Sequence, residues 1–198
     1  MTTPSLMQQA LGEQWAKLPA ALKAHYQADS NIDTGLLTIQ YPCYMQPFLS
    51  FLNLIGALLD RRGCDIPARV EKFMAGTRQH WRRRLSHPVA GTLCFDSIWE
   101  HEGDNLLTEY VNTCLGLTMS VELVGDSLHY EGQCFILRLA GLRFRLPEWL
   151  LGHTTIREHA LDENRFEMDF RLTHPLVGQI YRYSGKFTNK SQDLATLE

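Results

Sequence analysis

The chain lacks the pieces from which many functions are recognised. Its five cysteines, Cys43, Cys64, Cys94, Cys114 and Cys134, form no C-x-x-C pair and no cysteine–histidine cluster. An odd count without such pairs fits reduced thiols in a cytoplasmic protein better than a disulfide framework. No P-loop, G-x-S-x-G elbow, H-E-x-x-H or strand-linked G-x-G-x-x-G occurs, so no cofactor or metal is expected. No apolar run comfortably reaches the roughly 20 residues of a membrane-spanning helix. The N-terminus shows no basic start followed by an apolar run, so no signal peptide is expected. A basic excess is also missing. Lysine plus arginine is 19 against 22 acidic residues, a net charge of −3. A general nucleic-acid binder should show the opposite balance, so no nucleic-acid partner is expected. Lysine itself is scarce, and most of the basic residues are arginine.

What remains is ordinary globular material. The 198 residues are 44% hydrophobic and 21% charged, enough for one core, and we read residues 1–198 as a single domain. Residues 1–62 read as mainly helical. Ser5 can cap a helix through Leu6, Leu11 and Trp15. Pro19 begins a second segment with Leu18, Leu22, His25 and Tyr26 at helical spacing. Residues 36–41 form a short strand candidate. Residues 44–59 are the most apolar stretch, and burial of that helix is preferred over a membrane-touching or partner-binding role because it carries no basic face.

From residue 65 to 190 the texture is that of antiparallel strands. Alternating segments cover about 68–75, 77–85, 91–101, 106–113, 117–123, 127–139, 142–146, 154–161, 165–173 and 179–187. Turns such as Glu102-Gly103-Asp104-Asn105, Gly125-Asp126 and Asp162-Glu163-Asn164 separate them. Short links favour a meander over parallel crossovers. The expected fold is therefore α+β: N-terminal helices, then a large curled antiparallel β-meander, half-barrel or barrel, packed on the apolar helix.

Several segments resemble a known family. His80-Trp81-Arg82-Arg83 followed by Cys94-Phe95-Asp96-Ser97 is similar to its W-x-R … F-x-S pattern. Phe166-Glu167-Met168-Asp169-Phe170, His174-Pro175-Leu176-Val177-Gly178 and Tyr181-x-Tyr183-x-Gly185 match more clearly. Glu109 and Glu158 fall where that family places an acidic residue on a strand. The family is a bacterial one, domain of unknown function 4166. Its members stand alone or behind a saccharopine-dehydrogenase-like reductase domain. The resemblance implies a shared fold and a separate reductase as a partner, and it carries over no catalytic residue.

Strand parity places candidate inward groups. In 77–85, Arg83 shares a face with Gln79, Trp81 and Leu85. Arg78, His80, Arg82 and Arg84 share the other, read as a solvated stripe in preference to an anion site. An arginine on an apolar face needs an answering carboxylate. Glu109 stands between Leu107 and Val111, and Glu158 between Ile156 and Ala160. His174 follows Phe166, Met168, Phe170 and Leu172 in parity, and Tyr183 follows Tyr181. The expected polar cluster is Arg83, Glu109, Glu158, His174 and Tyr183 with Trp81 beside it. The leading reading is a non-enzymatic binding or accessory protein for an apolar or amphiphilic small molecule with an anionic head. The alternatives are an enzyme, with a carboxylate or His174 moving a proton, and a protein-interaction module.

Overall fold

The computed structural model describes residues 4–28 and 30–191. Eleven strands follow the N-terminal helices: β1 (Asn31–Gln40), β2 (Gly63–Ala75), β3 (Arg78–His87), β4 (Gly91–Gly103), β5 (Leu106–Tyr110), β6 (Leu115–Val124), β7 (Ser127–Leu139), β8 (Leu142–Leu146), β9 (His153–Ala160), β10 (Arg165–His174) and β11 (Gly178–Ser191). Neighbours pair antiparallel from β1 round to β7. From there β7 passes to β9, β10 and β11, which returns to β1. The sheet thus closes into a barrel, with β8 outside the ring. The first half of β7 pairs with β9 and its second half with β8, so the β7–β8 hairpin leaves the wall.

Closure explains the alternation read from the sequence. Each strand turns one face to the interior and one outward. Where β1 meets β11, glycine is required by close approach. A Cβ on Gly35 would run into the main-chain oxygen of Lys186, and one on Gly185 into that of Leu36.

The helices are short: α1 (Leu6–Leu11), α2 (Ala20–His25), α3 (Gln46–Leu54) and α4 (Glu148–Leu151). Ser5 caps α1 as expected. The Gln8 N–H donates to Ser5 Oγ at 3.1 Å while the Ser5 N–H donates to Gln8 Oε1 at 2.8 Å, a reciprocal pair that satisfies two free helix donors. Leu6, Met7 and Leu11 of α1 and Ala21 and Leu22 of α2 join the barrel core, closing one end. Asn31 ends α2 by donating to the carbonyls of Ala24 and His25.

Two expectations change. The helical contribution is small, so the fold is a mainly β barrel with helical closures. The N-terminal third also holds a full barrel strand, β1, four residues longer than the one expected and running from Asn31. The apolar segment behaves differently too. Its helix α3 has nine residues and buries Leu49 and Leu52, while Phe51 and Leu54 face solvent. It crosses the barrel mouth opposite α1 and α2. Tyr44 donates to the Val177 carbonyl in the β10–β11 turn at 3.3 Å, and Asn112 in the β5–β6 loop donates to the Ile55 carbonyl at 2.5 Å. Among the described residues no helix is long and apolar enough to cross a membrane.

Candidate functional site

The barrel interior holds three polar groupings, and the first is the one centred on Arg83. Register brings Trp81 opposite Ser97, Arg83 opposite Phe95 and Trp99 opposite Glu109. Arg83 Nη2 donates to Glu109 Oε1 at 2.9 Å and Nη1 to Ser97 Oγ at 2.8 Å. Ser97 Oγ donates to the same Glu109 oxygen at 2.6 Å. The guanidinium lies between two rings, 4.9 Å from the centre of Trp81 and 5.1 Å from that of Phe95. Stacking plus a carboxylate is how a nearly buried arginine is satisfied. Arg83, Glu109 and Trp81 therefore meet as the parity argument required.

Glu158 belongs to a second grouping. Its carboxylate accepts from the Tyr26 hydroxyl at 2.8 and 2.9 Å, and Tyr130 donates to the Tyr26 oxygen at 2.6 Å. Burial pushes the Glu158 pKa up to about 7, against the pull of the tyrosine donors and of Lys72. Burial also holds both phenols well above the usual tyrosine range, so they stay donors.

The third grouping was not foreseen. Lys72 on β2 and Asp33 on β1 are both fully buried and 2.6 Å apart, and His25 Nδ1 lies 2.7 Å from the same Asp33 oxygen. Lys72 also donates to the His25 carbonyl and sits 4.8 Å from the centre of the Trp81 ring. Burial, then the Lys72 charge, pushes the His25 pKa down to about 4, so this ring is neutral. A signal for Lys72 was present: Ile66, Ala68, Val70 and Lys72 alternate on the inward face as Trp81, Arg83 and Leu85 do.

His174 stays apart from all three. It stands at the end of β10, past a register shift between Leu172 and Thr173, and its Nδ1 accepts the Leu176 N–H at 3.2 Å in the following turn. The extra residue of that shift is Ile180 on β11, so His174 keeps the parity of Phe170 and Leu172, but it lies one residue past the last β9 pair, at the open end of the strand. The expected five-residue cluster is thus corrected: it divides into separate groupings, and His174 leaves it for the rim.

Tyr183 stacks on Phe170 at 4.6 Å and lies between two cavities that it helps to line. The larger, about 70 Å³, lies beneath α3 and is almost wholly apolar, walled by Phe48, Leu52, Leu115, Phe135 and Leu172. Its polar lining is Glu109, Thr154 and Tyr183. Thr154 is buried, and its Oγ1 has no hydrogen-bond partner among the described residues. The smaller, about 40 Å³, meets Arg83, His25 and Asp33. Glu158 lines neither.

Residues 18–187 match the profile of the family described as Domain of unknown function (DUF4166). The chain belongs to this family. For the DUF4166 chain, two solved structures give distant likenesses. The crystal structure of Rv2717c from M. tuberculosis superposes with a TM-score of 0.47 at 11% identity, covering 88% of this chain and 99% of that one. An isomerase-inactive variant of GphF DH1 gives a TM-score of 0.20 at 10% identity, covering 89% and 82%. No curated protein matches the sequence. The match takes in Arg83, Glu109, Glu158, Tyr183 and the strands that carry them, and it starts short of α1.

Proposed function

We propose that this DUF4166 domain is a non-enzymatic binding protein that takes an apolar small molecule into the barrel mouth beneath α3. The observation that carries this reading is the cavity itself. It is apolar along its walls, and its few polar lining residues are Glu109, Thr154 and Tyr183.

The chemistry of the head group follows from charge. Arg83 is already balanced by Glu109, and the hydrogen bonds to Glu109 from Arg83 and Ser97 end on Oε1. Tyr183 remains a donor, because burial holds its phenol protonated above the usual range. A neutral head that both donates and accepts, such as a hydroxyl or amide, fits these partners better than the anion expected from Arg83 alone. Ligand pockets usually measure roughly 300–1,000 Å³, so a cavity of about 70 Å³ admits a chain-like molecule only as α3 moves aside. Two hydrogen bonds tie the α3 segment to the turns it bridges, and moving it would also uncover Leu49 and Leu52, at about 1.5–3 kcal/mol each, so the ligand's own apolar surface must replace theirs.

Native mass spectrometry of the protein purified from its host tests this reading. The expected spectrum carries a non-covalent adduct that is lost in Leu115→Trp, where the added ring fills the cavity. Adduct-free protein in both preparations counts against it.

A further inference from the structure

The two ends of the barrel differ in chemistry. At the end closed by α1 and α2 the turns are polar, with Asp104 and Asn105, Asp126, and Asp162 to Asn164. At the other end the connecting segments are almost free of charge. Residues 41–59, 88–90, 111–114 and 175–177 contain no aspartate, glutamate, lysine or arginine, and the β1–β2 connection then ends in Asp60, buried and bound to Ser50, followed by Arg61 and Arg62. Residues 147–152 contain one, Glu148, whose carboxylate is turned inward to His153 and the Thr154 N–H.

Large apolar side chains stand out from these same segments. Phe51 and Leu54 project from α3, Trp149 from α4, and Val89 and Leu176 from the turns. Leu54 is 82% exposed, Val89 90% and Leu176 87%. Among the described residues, the other exposed large hydrophobics are Leu36 on the wall, Val124 and Leu161 near the plugged end, and three on the β7–β8 hairpin, apart from close neighbours of those named. Leaving such groups in water in one place is the mark of a surface made to be covered.

Charge indicates what covers it. Arg62 ends the α3 segment and Arg145 immediately precedes the α4 turn. Both are exposed, and neither has a carboxylate within ion-pair distance among the described residues. An uncharged apolar face bearing a tryptophan, with unpaired arginines set at its margin, complements the apolar interior and anionic headgroups of a lipid surface. The helix α3 lacks a basic face of its own, and the cations come from the end of its connecting segment, at Arg62, and from β8, at Arg145. The apolar groups come from several separate segments, α3, α4 and the β3–β4 and β10–β11 turns, which suits a fluid layer that closes around each projection better than one rigid matching surface.

We infer that the α3 end of the barrel docks on the surface of a membrane containing anionic lipid, with Phe51, Leu54, Trp149 and Leu176 entering the interfacial layer. This goes beyond the binding reading and stands without it, because it rests on the exposed loops and not on the cavity.

Co-flotation of the full chain with vesicles of phosphatidylcholine and phosphatidylglycerol tests it. The protein is expected to float with the vesicles, and its tryptophan emission to shift to the blue, a shift that Trp149→Phe removes. The double variant Leu54→Asp/Leu176→Asp, at exposed positions that leave the core intact, is expected to reduce the bound fraction by about tenfold or more. Arg62→Glu/Arg145→Glu is expected to reduce it at low salt and to have little effect on vesicles of phosphatidylcholine alone. Absence of flotation by the wild type overturns the inference. So does self-association in sedimentation that Leu54→Asp/Leu176→Asp abolishes, since a second copy of the chain would then be what covers this face.

Discussion

Asp33→Ala is expected to lower the unfolding free energy by about 3–5 kcal/mol, the usual cost of breaking a buried ion pair on one side only. The reason lies in what the substitution strands. Lys72 has no solvent exposure and its ammonium lies 2.6 Å from Asp33 Oδ2. Without the carboxylate it keeps the His25 carbonyl and the faces of Trp81 and Tyr26, which do not balance a full charge in a dry interior. The chain can respond by shedding the lysine proton, a direction burial already favours. At neutral pH that escape costs about 4–5 kcal/mol, from an ordinary lysine pKa near 10.4 at roughly 1.4 kcal/mol per unit, so the two routes give similar losses. Asp33→Leu combined with Lys72→Met removes both charges at similar volume and is expected to recover most of the loss. Urea unfolding of the two single variants and the double variant measures this. A loss under about 1 kcal/mol for Asp33→Ala would mean that the pair is not formed in solution.

Glu158→Gln is expected to change the shape of the stability–pH curve. In the wild type the Glu158 carboxyl is protonated in both folded and unfolded chains below about pH 4.5. Between there and about 7 the unfolded chain ionises while the folded chain keeps its proton, so stability falls as pH rises. Above about 7 the penalty is complete, about 3 kcal/mol at roughly 1.4 kcal/mol per pKa unit. His25 acts with the opposite sign. Its folded pKa of about 4 lies below the ordinary histidine value of 6.5, so stability falls as pH drops between those values. The two effects oppose each other from about pH 4.5 to 6.5. Above that Glu158 acts in the same direction as His153, whose hydrogen bond to Glu148 raises its pKa. The variant should therefore fall less than the wild type near neutrality, and should lose stability below pH 6.5 more steeply than the wild type does. Urea midpoints across pH 5 to 8 distinguish the two. Parallel curves for the two proteins would show that Glu158 titrates normally.

The strands were legible because half-buried strands alternate: each of the ten meander segments overlaps an observed strand, although β2 begins at Gly63 and not 68, β5 ends at Tyr110 and not 113, and β11 runs on to Ser191. Closure was left open, because it is decided by pairings between segments far apart in sequence, such as β1 with β11. The site was legible in the same uneven way. Parity on β3 and β5 placed Arg83 and Glu109 together, since both strands run without irregularity at those positions. Parity held at His174, but parity says nothing of depth: the residue ends β10 beyond its last β9 pair and binds the Leu176 N–H of the turn. Parity separated nothing within the interior, so Glu158 was grouped with Arg83 although its partners, Tyr26 and Tyr130, come from α2's end and β7. The apolar segment around α3 was read as buried because hydrophobicity alone does not tell a core helix from one laid across an opening.

The ligand proposed for the cavity beneath α3 is apolar with a neutral hydrogen-bonding head. Calorimetric titration of 1-octanol and of octanoate into the same protein tests this. The predicted result is saturable binding of one octanol with a negative heat-capacity change, weaker binding of octanoate, and loss of both in Leu115→Trp. Absence of saturable binding of either molecule, or binding that Leu115→Trp leaves unchanged, would contradict it.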